Sequence, residues 1–176
     1  GKKEGLCDPT KFNPVWITDF PMFEFDSDTN RYVARHHPFT APSSTNIDDL
    51  DSDPSSLKSR GYDLTMNGYE IAGGSIRNHQ PEFQSKIFEL LGMNKEEINS
   101  RFGFLVDALK YGTPPHGGIA FGFDRLIMIL SGSNNIRDVI AFPKTTSASS
   151  LMDESPSSVS SEQLSDLNII IIDKKK

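Results

Sequence analysis

Between residues 62 and 77 the chain reads YDLTM-NG-YEIAGGSIR. Asn67-Gly68 is the preferred pair for a two-residue turn whose central residues both need positive φ, so the flanking runs are predicted to fold back as antiparallel strands. The rest of the chain is read around that hairpin. Residues 15–20 (VWITDF) read as a strand, 26–30 (DSDTN) as a polar turn, and 31–37 (RYVARHH) as the partner that returns to VWITDF in a hairpin with a long loop. Pro81 suits the first position of a helix that sets Phe83, Ile87, Leu90 and Leu91 on one face and stops at Gly92. Asn94 can cap a second helix that runs on to Gly112. HGGIAFG (116–122) is a short strand feeding the helix FDRLIMIL (123–130), which Gly132 ends, and IRDVIAF (136–142) reads as an edge strand or extended segment. Beyond Pro143 the chain is Ser-rich and read mostly as loop; the isoleucine run at 169–172 has strand length and DKKK follows it. No repeat is present. Hairpin-joined strands with helices grouped rather than alternating predict an α+β fold, an antiparallel β-sheet flanked by helices.

The bulk composition excludes some functions. At 176 residues the chain can hold one domain with a substantial core. A formal net charge of −6 argues against a free-standing binder that neutralises nucleic-acid phosphates. Much of that charge is local: 46–59 (NIDDLDSDPSSLKS) and 153–163 (DESPSSVSSEQ) gather acids among Pro and Ser and read as solvated loop. Any basic surface is therefore confined to one face. No apolar run approaches the roughly 20 residues of a bilayer span, and no signal or transit segment is read. Cys7 is the single cysteine, which leaves no disulfide framework or thiolate metal site and fits a reducing compartment. The chain opens on Gly1 rather than Met and is expected to be a piece of a longer protein.

The stretch PPHGGIAFGFDRLIMIL (114–130) poses a physical question. Its helix is apolar on nearly all sides and is expected to be buried, yet Arg125 stands in the first turn, beside free N–H groups and the positive end of the helix dipole. Two positive features at one place call for an anion between them. A phosphate suits a helix N-terminus, and the preceding glycines let backbone approach a flat ligand such as a nucleobase. The alternative pairs Arg125 with an internal carboxylate, Asp124 or Asp138. The residues alone leave both open.

The same stretch resembles the third signature motif of class II aminoacyl-tRNA synthetases. Together with DFPMFEF, HHPFTAP, YDLTMNGYEIAGGSIR and RDVIAFPKTTSAS it is similar to the bacterial-type aspartyl-tRNA synthetases, in order and spacing, from about residue 15 to residue 168. The resemblance implies the C-terminal part of a catalytic domain at 15–145, after a leader at 1–14 and before a Ser-rich extension at 146–176. It also implies roles at matching positions. Arg125 would contact the ATP triphosphate, with Gly122, Phe123 and Asp124 lining the nucleotide site. Glu70 would serve that site through Mg²⁺, a hard cation that takes carboxylate oxygen. Arg77 would grip the side chain of substrate L-aspartate, a task for which the guanidinium fork suits a planar anion, and His36 would lie at the same pocket with His37 beside it. Substrates would be L-aspartate, ATP and tRNA(Asp), in a full-length homodimer of the cytoplasm or an organelle matrix.

Departures from the family pattern are of one kind: the anticodon-binding barrel, the first motif and the second motif with its arginine are not in this sequence, so the chain alone is expected not to make aspartyl-adenylate. Asparaginyl- and lysyl-tRNA synthetases share the core, and a catalytically incomplete paralogue acting as a binding module is the reading from another class. Plain alternatives remain for single residues: Glu70 an exposed strand residue, Arg77 a solvated strand-end charge, His36-His37 a loop pair, His116 a structural hydrogen-bonding residue. One test is internal to the hairpin. Glu70 and Arg77 are seven apart, so strict alternation would put them on opposite faces. For both to serve one site, an irregularity is required, and Gly73-Gly74 is the expected place.

Overall fold

Asn67 (φ 53°) and Gly68 (φ 88°) make the predicted turn, both in the left-handed region. The computed structural model describes residues 1–6, 8 and 10–172; Cys7 and DKKK lie outside the described residues. The strands are β1 (Pro14–Ile17), β2 (Phe23–Asp26), β3 (Arg31–Ala34), β4 (Gly61–Met66), β5 (Tyr69–Ile76) and β6 (Gly117–Phe121). The helices are α1 (Asp49–Ser52), α2 (Pro81–Leu90), α3 (Lys95–Leu109), α4 (Phe123–Leu130) and α5 (Ser161–Asp166). Among the described residues four strands form one antiparallel sheet in the order β1-β4-β5-β6, and β2 and β3 form a separate pair. The arrangement is α+β, as the grouping of helices predicted.

The first expected hairpin is corrected. VWITDF does not pair with RYVARHH; β1 pairs with β4, Trp16 opposite Leu64, and RYVA pairs with FEFD around the DSDTN turn. Asp26 accounts for the tightness of that turn, because its carboxylate accepts from the Asp28 amide at 2.9 Å and from Thr29 Oγ1 at 2.6 Å. The segment 136–142 is corrected as well. Asn135 caps a short 3₁₀ turn, Ile136–Asp138, through the Arg137 amide, and Phe142 sits at φ 57°, so no extended strand forms there. The isoleucine run forms no strand, and the Ser-rich tail holds one short helix, α5, closed by a Ser160–Gln163 capping box.

The main core lies beside the sheet rather than under it. Met22, Phe23, Leu50, Leu57, Phe83 and Ile87 pack together, so α2 meets the β2–β3 pair through the acidic segment. That segment is solvated at its carboxylates and buried at Leu50 and Leu57, and Lys86 on α2 clasps Asp51 at 2.6 Å. Full burial of a leucine side chain contributes roughly 1.5–3 kcal/mol, enough for these two to hold a Pro/Ser-rich loop in place. Phe39, Phe88 and Phe102 extend the core toward α3, the last two stacked with centroids 5.0 Å apart. Helix α4 departs from expectation. Only Met128 is buried, while Phe123 is 68% and Leu130 52% exposed, because among the described residues β5 and the 3₁₀ turn are the elements that pack closely against it. Among the described residues no helix is long and apolar enough to cross a membrane.

Close packing of β5 on β6 rests on Gly74, where a Cβ would lie 2.0 Å from the Gly118 carbonyl oxygen and 2.8 Å from the Tyr62 ring. Gly74→Ala is therefore expected to lower unfolding free energy by about 3 kcal/mol in urea titration, since neither backbone nor ring can give way cheaply. Gly118→Ala, which meets nothing within 4 Å, is expected to be nearly neutral. Equal losses would show that Gly74 does not set the strand spacing.

Candidate functional site

One extra residue in β5 builds the site. Leu64 is opposite Ala72 and Thr65 opposite Glu70, which leaves Ile71 unpaired as a bulge toward β4. Strand β4 stays regular, so Gly61, Asp63 and Thr65 share a face. Their partners Ser75, Gly73 and Glu70 share it too, and Arg77 follows in phase with Ser75 just past the strand end. The required irregularity exists, at Ile71 rather than at Gly73-Gly74. Ile71 and Ala72 are both buried, as two consecutive residues in a bulge can be.

The bulge also settles where Arg125 goes. Gly122, just before α4, donates its amide to the Ile71 carbonyl at 2.8 Å, extending the β5–β6 ladder by one bond. The chain then turns into the helix, and Arg125 Nη1 donates to the Glu70 carbonyl at 2.8 Å. A side chain thus takes the acceptor next along β5, and it fixes the arginine to the backbone of the very residue expected to share its site. Neither expected acid pairs with it. Asp138 accepts from Ser133 Oγ, and among the described residues no ion pair joins Arg125 to a carboxylate. The residue is exposed rather than buried. Phe123 and Asp124 are exposed beside it.

Two carboxylates converge over Gly73. A Cβ there would lie 2.8 Å from Asp63 Oδ1 and 3.3 Å from Glu70 Oε1, so glycine keeps open the space that both acids border. The sequence alone does not mark Asp63. Its signal was an acid in the middle of a strand, readable only once the bulge gives the register that sets it opposite Gly73.

At the other end of the same face, Arg77 Nη1 lies 2.9 Å from His37 Nδ1 and also contacts Nε2. Ser75 Oγ is 3.4 Å from the ring and Thr40 Oγ1 3.3 Å. His36, the expected pocket residue, is exposed; its ring packs edge-on to Phe20 at 4.7 Å and over Gly61, whose Cβ would lie 3.3 Å from it. Both histidines therefore stand over the face, but His37 is the one that meets Arg77. His116 bonds through Nδ1 to the Pro114 carbonyl oxygen, and its own carbonyl accepts from the Arg77 amide at 2.9 Å. The face is open. Two surface pockets, of about 90 and 210 Å³, lie off it, beside Arg60 and His79 and beside Arg31 and Arg101. Among the described residues no cluster of three or more metal-ligating side chains occurs.

Burial lowers the His37 pKa from its ordinary 6.5, and the Arg77 charge and His36 lower it further. Because the folded value lies below the unfolded one, His37 opposes folding as pH falls through the interval under 6.5 and is without effect above it. NMR titration of the ring is expected to give a midpoint below the ordinary value. Arg77→Met should move it up without restoring it, since desolvation is the larger cause. A midpoint unmoved by Arg77→Met would contradict the contact.

Residues 3–146 match the family model described as tRNA synthetases class II (D, K and N). The chain is 56% identical over 167 residues to an aspartate–tRNA ligase of Staphylococcus carnosus, and 55% identical over 170 residues to an aspartate–tRNA(Asp/Asn) ligase of Desulfatibacillum aliphaticivorans. Those matches cover 95% and 97% of this chain but 28% of each relative. Among solved structures it resembles the aspartyl-tRNA synthetase of Entamoeba histolytica at 27% identity (TM-score 0.55, 76% of this chain, 23% of that one). The asparaginyl-tRNA synthetase of the same organism, solved with asparaginyl-adenylate, is alike at 25% identity (TM-score 0.57, 78% of this chain, 26% of that one). A hairpin with a bulge that sets Glu70 and Arg77 on one face, an arginine at the start of the helix after β6, and a family match over most of its length place this chain among the class II tRNA synthetases.

Proposed function

We propose that this chain supplies the adenylate-forming face of an aspartate–tRNA ligase. The observation that carries the reading is Arg125: its guanidinium is tethered by the Glu70 carbonyl, in ion pair with no acid among the described residues, at the edge of a face that also holds Asp63, Glu70 and Arg77. Cation, carboxylates and a second arginine in that order suit the phosphate tail of ATP, its metal, and an amino acid with an anionic side chain. In this reading Arg125 binds the ATP triphosphate, with Gly122, Phe123 and Asp124 beside the nucleotide. Arg77 takes the side-chain carboxylate of L-aspartate, and His36 borders that pocket.

The residues present fit Mg²⁺. Asp63 and Glu70 offer hard oxygen donors over a glycine whose missing Cβ leaves room. When bound there, the ion would neutralise phosphate charge. The rest of the chemistry requires no nucleophilic side chain. The aspartate α-carboxylate attacks the α-phosphorus and pyrophosphate leaves; the terminal ribose hydroxyl of tRNA(Asp) then attacks the carbonyl carbon of the adenylate, the hydroxyl proton is lost and AMP leaves, while the chain's residues act by orienting reactants and stabilising charge. The activity is proposed for a protein of the relatives' length, homodimeric and cytoplasmic or organellar. The face is open here, and the chain alone is expected not to catalyse aspartate-dependent ATP–pyrophosphate exchange.

Likeness to an asparaginyl enzyme makes the amino acid the point to test. A charge-assisted hydrogen bond is worth about 1.5–3 kcal/mol. In the longer protein, Arg77→Met is therefore expected to raise the KM for aspartate about 100-fold with the KM for ATP unchanged, and Arg125→Ala to act in the reverse sense. Activation of asparagine in preference to aspartate, or no exchange at all in the longer protein, would overturn the proposal.

A further inference from the structure

Three buried polar side chains are not explained by the roles above. Gln84 is 1% exposed, Thr40 1% and Asn78 6%. Gln84 sits on α2 between residues that face the core: Phe83, Ile87 and Phe88 are all buried. An apolar residue would fill that place with less desolvation and no need for partners. Instead Gln84 Nε2 donates to the Pro38 carbonyl at 2.8 Å, and its Oε1 accepts from Asn78 Nδ2 at 3.3 Å. Asn78 Nδ2 also donates to the Thr40 carbonyl at 3.1 Å, and the Asn78 amide donates to the Phe39 carbonyl at 2.9 Å. Three successive carbonyls, of Pro38, Phe39 and Thr40, are thus claimed by Asn78 and Gln84. Among the described residues no buried side-chain polar atom lacks a partner.

These carbonyls belong to the bend that presents His37. Pro38 fixes its own φ, the Thr40 amide closes the bend on the His37 carbonyl at 3.2 Å, and Thr40 Oγ1 reaches the ring. The ring in turn lies against Arg77, the neighbour of Asn78. We infer that Gln84 and Asn78 are positioning residues for aspartate: through the Pro38–Thr40 bend they hold His37 against Arg77 and so fix the fork that takes the substrate's side-chain carboxylate. The inference rests on the proposed function. A fully satisfied buried amide pair favours one geometry over others, which an apolar contact would not do.

The test compares Gln84→Met, Asn78→Ala and the core control Ile87→Val in the protein of the relatives' length. Gln84→Met and Asn78→Ala are each expected to raise the KM for aspartate about tenfold with the KM for ATP unchanged, whereas Ile87→Val moves neither, although it too lowers Tm. In the 176-residue chain, the His37 titration should shift toward the ordinary value with Gln84→Met and stay put with Ile87→Val. A folded Gln84→Met or Asn78→Ala with unchanged aspartate KM, parallel changes in both KM values, or equal effects of Ile87→Val would overturn the inference. So would loss of folding in both amide variants, which would make the network part of the core alone. Absence of aspartate-dependent exchange in the parent protein would instead count against the proposed function, and the His37 titration would still read whether the amides hold the ring.

Discussion

A single unpaired residue, Ile71, decides what this sheet can do. In a regular ladder Glu70 and Arg77 would stand on opposite faces, and one of them would be lost to the site. Inserting one residue restores the phase, so that Thr65–Glu70, Asp63–Gly73 and Gly61–Ser75 become pairs on one surface with Arg77 following. The same insertion governs the backbone. The Ile71 carbonyl is left to Gly122 and the Glu70 carbonyl to Arg125, so the helix after β6 is anchored at the bulge. Side-chain placement and the tether of the arginine therefore have one cause. The proposed contacts to phosphate, metal and amino acid all inherit it.

Local chemistry was legible where a few adjacent residues settle the outcome. The Asn67-Gly68 turn, the Asn94 cap, the Pro81 start and the stops at Gly92, Gly112 and Gly132 are decided within a turn of chain, and each stands where it was read. Long-range choices were not. VWITDF had a nearby partner in RYVARHH, yet β2 competes for β3 across a far shorter loop, which leaves β1 to β4. The need for phase calls for a bulge without placing it; glycines point to Gly73-Gly74, whereas the extra residue is Ile71. Gly73 and Gly74 serve other ends: one leaves space between two carboxylates, the other admits the Gly118 carbonyl.

The site was partly legible for a related reason. Glu70, Arg77 and Arg125 come from motifs with a resemblance, but the partners that set their geometry are scattered: a carbonyl for Arg125, Asp63 on the neighbouring strand, and His37 rather than its neighbour against Arg77. Nothing local marks a backbone acceptor. The expectation of a buried α4 failed because its apolar residues have few partners within this chain. Phe123 and Leu130 stand exposed, as do Val15 and Trp16 on β1. Apolar side chains on both the terminal helix of the motif and the edge strand leave the face stable on its α2 side, where the core lies, and sparsely supported on its β1 and α4 sides.

Backbone NMR of the 176-residue chain tests the central claim most directly. Cross-strand contacts between the β4 and β5 backbones should place Leu64 opposite Ala72 and Thr65 opposite Glu70, with Ile71 opposite neither. A continuous ladder with Thr65 opposite Ile71 would put Glu70 on the far face from Arg77, and the site described here could not form.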